Sequence, residues 1–122
     1  MKIRFWGVRG SIASPGPKTV RYGGNTTCIE VRTDANELII IDAGTGIFPL
    51  SHALLAEMPL TANILITHSH WDHIQGLPLF VPNFIPGNTL RLHGAFDPVS
   101  GNGVEHVMAV QLQYSYYPVS EA

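Results

Sequence analysis

The stretch Asn63-Ile64-Leu65-Ile66-Thr67-His68-Ser69-His70-Trp71-Asp72-His73 runs from a short aliphatic segment directly into a tail dense in histidine and aspartate. Asn63 to Thr67 has the length and continuous apolar character of a strand buried on both faces. A buried strand that delivers polar ligands at its carboxyl end suits an open α/β sheet, whose sites form outside the strand ends. His68 and His70 are one residue apart, so in extended chain both imidazoles project from the same side, as two ligands of one metal require. Asp72 and His73 come in the next turn, where they can face a second ion a few ångströms away. For a chain of 122 residues with six histidines and four aspartates, chance yields this pattern with odds on the order of one in 2,000. The spacing therefore predicts a two-metal site rather than a solvated cluster of surface histidines.

Working outward, Lys2 to Gly7 alternates as a strand does, and the glycines and prolines that follow, up to Gly23-Gly24-Asn25, read as a long loop. Thr26 to Thr33, a turn at Asp34-Ala35-Asn36 and the apolar Glu37 to Ile41 predict a hairpin feeding a buried strand that ends on Asp42. Beyond Gly44 and Gly46, Ile47, Leu50, Leu54 and Leu55 follow helical spacing until Pro59. Asp42 has two readings: a carboxylate that orients a ligand imidazole, or an N-cap for the helix after it. Downstream, Ile74 begins a helical turn that Pro78, Pro82 and Pro86 break into irregular chain. A strand at Leu90 to His93 and a helix carrying Val104, Val107 and Met108 follow, and Tyr114 to Pro118 leads out without a closing strand.

Composition sets the bounds. A 122-residue chain with 45% hydrophobic residues supports one core and one domain over residues 1–122. Charged residues make up 13%, against roughly 25% in a typical soluble domain, which hints at a missing partner surface. A formal charge of −2 without a Lys or Arg run gives nucleic acid binding no support. Cys28 is the single cysteine, so an internal disulfide and a cysteine-based zinc cage are excluded, and histidines and carboxylates must do any metal work. Cys28 itself, in a predicted strand, reads as a core residue. The N-terminus lacks the apolar segment of a signal peptide and no run approaches the roughly 20 apolar residues that span a bilayer. The expectation is a soluble cytoplasmic protein with no membrane partner. His52 is expected on the solvent side of its helix, His93 and His106 as surface or core histidines, and Asp97 as a turn residue. Trp71 either walls a substrate pocket or packs under the loop; Arg9 and Ser11 either contact phosphate or cap the loop.

His68-x-His70-x-Asp72-His73, with Asp42 upstream, resembles residue by residue the hallmark of the metallo-β-lactamase superfamily. Phe5-Trp6-Gly7-Val8-Arg9-Gly10-Ser11, Tyr22-Gly23-Gly24-Asn25-Thr26-Thr27-Cys28 and Leu77-Pro78 look like its branch of ribonuclease Z-like and cyclic phosphodiesterase-like hydrolases. The resemblance implies an α/β fold, the N-terminal half of an αββα sandwich in which a mixed β-sheet is flanked by helices. It implies two zinc ions, with manganese or iron as substitutes, one held by His68 and His70 and the other by Asp72 and His73. The activity implied is hydrolysis of a phosphodiester, in a small molecule or nucleotide, by a metal-bridging hydroxide, with Asp72 as the catalytic residue that holds the second ion and hydrogen-bonds the hydroxide. Two alternatives stand beside it: a carboxyl ester, lactone or amide hydrolase of the same fold, and a non-catalytic metal-binding or assembly half-domain.

The family also needs a further histidine on the first metal, a bridging aspartate and another histidine on the second, and none is matched after His73. Four ligands over two ions leave two protein groups for each, against the three or four of tight zinc sites. The simplest expectation is that 1–122 is a metallo-β-lactamase-like domain truncated before the second half of its fold. Its inner sheet face would then be exposed and prone to association. A homodimer that supplies the missing ligands in trans is the other arrangement.

Overall fold

Five strands form one mixed sheet in chain order: β1 (Lys2–Gly7), β2 (Cys28–Arg32), β3 (Leu38–Ile41), β4 (Thr61–Ile66) and β5 (Thr89–Gly94). The computed structural model describes residues 1–118. β1, β2 and β3 pair antiparallel, whereas β3, β4 and β5 pair parallel. The switch follows from the connections. The β2–β3 turn is tight and places Asn36 at φ 61°, a left-handed conformation that asparagine tolerates better than most residues. The later connections carry helices, as parallel neighbours require.

The first crossover is α1 (Ile47–Ala53), continued by a 3-10 turn at Leu55–Glu57. The helical spacing seen up to Pro59 is thus split: the Leu54 N–H reaches both the Leu50 and Ser51 carbonyls, and this tightening ends the α-helix early. The second crossover begins with α2 (Trp71–Ile74), three residues before the expected Ile74, so Asp72 and His73 occupy its first turn. Two 3-10 turns, Leu77–Leu79 and Val81–Phe84, carry the chain past its prolines to β5. Finally α3 (Val104–Gln111) folds back towards β5.

All the core lies on one side of the sheet. Cys28, Leu38, Ile40, Ala62, Ile64 and Ile66 point to the helices and are buried among Ile47, Leu50, Leu54, Ile74, Phe80 and Met108. At the β1–β2 edge that side is closed by polar groups: Arg4 stacks 4.1 Å from the Trp6 ring centroid, Trp6 Nε1 donates to Glu30, and Arg32 joins Glu30 to Glu57. The opposite face carries Ile3, Phe5, Ile29, Val31, Ile39, Ile41 and Leu65, none of them fully buried. This corrects one expectation. β4 is not buried on both faces: Leu65 is 38% exposed, because among the described residues no layer covers that side. The α/β class and the mixed sheet with helices are as expected, consistent with the N-terminal half of the sandwich. No described helix is long and apolar enough to cross a membrane.

Candidate metal centre

Parallel pairing makes β3 and β4 end side by side, with Ile41 opposite Leu65 and the Asp42 N–H bonded to the Leu65 carbonyl at 2.8 Å. Asp42 then turns left-handed, at φ 62°, one of the few side chains for which this costs little. The turn drops its carboxylate beneath the loop that leaves β4, where the residue is only 2% exposed. Three donors meet it there: the Thr67 N–H at 2.8 Å, the Thr67 hydroxyl at 2.8 and 2.9 Å, and His73 Nδ1 at 2.8 Å. The capping alternative for Asp42 fails, because α1 starts after Gly46 without any side-chain cap. Backbone bonds clasp the same two loops, from the Ala43 N–H to the His73 carbonyl at 2.7 Å and from the Gly76 N–H to the Ala43 carbonyl at 2.9 Å.

Above this buried carboxylate the three histidines gather. Ring centroids of His68 lie 4.6 Å from His70 and 4.0 Å from His73. His73 turns Nδ1 down to Asp42 and Nε2 towards Asp72 Oδ2, 3.5 Å away. Asp72 Oδ2 also accepts the Ser11 N–H at 2.9 Å, from the loop after β1. That backbone donor is the main reason the Asp72 carboxyl sits below its usual range, with its own N–H and the charges of His73 and His68 adding to the effect. All four residues singled out by spacing are thus brought together at the carboxyl ends of β3 and β4.

Two contributors escape a reading by residue type. Ser11 acts through its backbone, at φ 68°, and a backbone N–H leaves no mark in the sequence. Thr67 links Asp42 to His68, its hydroxyl lying 3.1 Å from His68 Nδ1; its only signal is a hydroxyl residue directly before the first histidine. Of the other candidates, Arg9 caps the loop through a bond from Nε to the Ile12 carbonyl. Trp71 is 58% exposed, so it does not pack under the loop. His93 bonds Asn63 on β4 and His106 is exposed on α3; neither joins the cluster. Asp97 takes the Val99 and Ser100 N–H groups in a turn, and Cys28 is buried.

Imidazole nitrogens beside a carboxylate form the donor set that zinc and related divalent ions take. Their number is short: among the described residues no three His, Cys, Asp or Glu side chains converge as the ligands of a single ion. The cluster also lies open. A cavity of about 600 Å³ between Ile64, Leu90, Met108 and the proline-rich turns is lined by none of these histidines. The fit is therefore right in chemistry and half in count.

Comparison with known proteins agrees with this geometry. Over 56 residues the chain is 34% identical to a hydroxyacylglutathione hydrolase of Saccharophagus degradans, an alignment covering 46% of this chain and 20% of that relative. The chain thus spans a fifth of that relative's length in the matched region. No solved structure matches the chain significantly. The model of the metallo-β-lactamase superfamily matches residues 21–99, well over half of the chain and including Asp42 and the whole histidine segment, and the protein belongs to that superfamily.

Proposed function

We propose that the chain contributes half of the dizinc centre of a hydrolase that cleaves phosphodiesters. The observation carrying this reading is the arrangement of the cluster: His68, His70, Asp72 and His73 are gathered at adjoining strand ends, with His73 Nδ1 already engaged by the buried Asp42. An imidazole that donates one N–H to a carboxylate presents its other nitrogen as a lone pair, the arrangement typical of metal-ligating histidines. His68 and His70 hold one ion in this reading, and Asp72 and His73 the other. Zinc, or manganese or iron in its place, would supply there an activated water at neutral pH and a Lewis acid for the substrate oxygen. Asp72 is fixed by the Ser11 N–H and is kept ionised, so it can both bind a cation and accept a proton-bearing oxygen.

The phosphodiester preference is supported by the loop between β1 and β2, whose sequence carries the branch resemblance and which touches the cluster through Ser11. A second reading, attack at a carbonyl carbon, is favoured by the likeness to a hydroxyacylglutathione hydrolase. Parallel assays of the zinc-supplemented protein with bis-p-nitrophenyl phosphate and with a hydroxyacylglutathione separate them. With half of the ligand set the chain alone is expected to turn over slowly or not at all. Any turnover is expected to favour the diester and to fall at least about 100-fold in Asp72→Ala, the upper end of what removing a supporting group costs a metal site. Turnover of the acylglutathione alone would transfer the function to the second reading. Absence of both zinc uptake and turnover would leave a non-catalytic half-domain.

A further inference from the structure

The Thr67 hydroxyl stands at a junction that the hallmark residues do not explain. Its oxygen lies 2.8 and 2.9 Å from the two oxygens of the Asp42 carboxylate and 3.1 Å from His68 Nδ1. A hydroxyl has one proton to give and lone pairs to receive with. A carboxylate carries acceptors only, so Asp42, which takes the Thr67 N–H, has no proton to offer and His73 Nδ1, 2.8 Å away, must be the donor between the two. Were the hydroxyl proton turned to His68, two oxygens carrying only lone pairs would face each other at hydrogen-bond distance. The proton therefore goes to Asp42, and the only role left for His68 Nδ1 is to donate its own N–H to Thr67.

We infer that Thr67 is a positioning residue that relays the Asp42 carboxylate to His68, so that a single buried aspartate sets the tautomer of two histidines. His73 is set directly and His68 through the hydroxyl, and both present Nε2 outward. The relay explains how one carboxylate serves a residue before α2 and a residue within it: His73 bonds Asp42 directly, whereas His68 reaches it only through the Thr67 hydroxyl. It rests on the proposed metal centre for its purpose, but its geometry belongs to the chain alone.

The test reads the tautomers of the metal-free chain from imidazole nitrogen-15 chemical shifts, at about pH 8.5, where an ordinary histidine of pKa about 6.5 is neutral. His68 and His73 are expected as Nδ1–H forms. In Thr67→Val, which keeps the backbone N–H bond to Asp42, His68 is expected to revert to the Nε2–H form favoured by free imidazole while His73 stays unchanged. Thr67→Ser restores the Nδ1–H form. Zinc affinity is expected to fall about tenfold in Thr67→Val and to recover in Thr67→Ser, the low end of the 10- to 100-fold effect of partners that orient metal ligands. An Nε2–H form of His68 in the native chain, or a tautomer indifferent to Thr67→Val, would overturn the relay even if zinc binds. Correct tautomers with no zinc uptake would instead leave the relay standing and remove the metal-centre reading.

Discussion

Asp42 concentrates the chemistry of this chain in one residue. Its side chain accepts from Thr67 and His73 while its backbone holds a left-handed turn. Asp42→Asn keeps both the turn preference and one acceptor oxygen, so the fold is expected to persist while zinc affinity drops about 10- to 100-fold, measured by competition with a chromogenic chelator. Asp42→Ala orphans the donors as well and is expected to cost about 1–3 kcal/mol in chemical denaturation. Cys28 offers an independent probe of the same core. Burial, with the charges of Asp42 and Glu30, pushes its thiol from 9.0 up to about 12. The folded chain therefore holds this proton where the unfolded chain releases it, and stability falls as pH rises above 9 towards 12, by at most about 1.4 kcal/mol per pH unit. The thiol is expected to resist a disulfide reagent at pH 8 until denaturant is added; fast labelling of the native chain would show that the core around β2 opens. At this scale the sequence was most informative, because histidine, aspartate and cysteine announce their chemistry by type. Ser11 was singled out for its side chain, as a phosphate contact or loop cap, and its bond to Asp72 through the backbone N–H was not foreseen.

Strands and turns position those residues, and here glycine does what no side chain can. A Cβ on Gly44 would stand 2.4 Å from the Asp72 carbonyl oxygen and from Thr26 Oγ1, and one on Gly76 would stand 2.3 Å from the Gly44 carbonyl oxygen. The β3–α1 loop and the loop carrying the histidines thus touch backbone to backbone. Gly44→Ala is expected to lower stability by about 1–3 kcal/mol or more through this overpacking, read from the denaturation midpoint, and to disturb the Ala43–His73 clasp. A midpoint within error of the native chain would mean that the loops separate more easily than their spacing implies. The strands were legible in the sequence, with ends displaced by a few residues, because β1 and β2 alternate with the pleat while β3 and β4 are short continuous apolar runs. The start of α2 was not legible, since Trp71-Asp72-His73 carries no cap or apolar period; its place is set by the clasp to Ala43, which is a tertiary contact.

For the molecule as a whole, a sheet with helices on one side leaves an apolar face on the other. Phe5 is 63% exposed, Ile3 55% and Leu65 38%. Fully burying each such side chain is worth about 1.5–3 kcal/mol, so this face has a strong tendency to find a cover. By itself the 13.3 kDa chain is expected to gain apparent mass with concentration in light scattering, and a Phe5→Lys, Leu65→Lys pair to suppress the gain. A monomer at all concentrations would show that the face is not the site of association. The low share of charged residues had signalled an uncovered surface, but composition has no direction, and only the register of β1 to β5 assigns it to one face. The central claim concerns the other end of the molecule, where β3 and β4 deliver the histidines. Its most direct test is a zinc titration of the metal-free chain followed through the imidazole signals. Shifts confined to His68, His70 and His73, with uptake lost in a variant in which these and Asp72 are alanine, are predicted. Equal uptake by that variant, or no response of the three rings to zinc, would contradict a metal centre at this site.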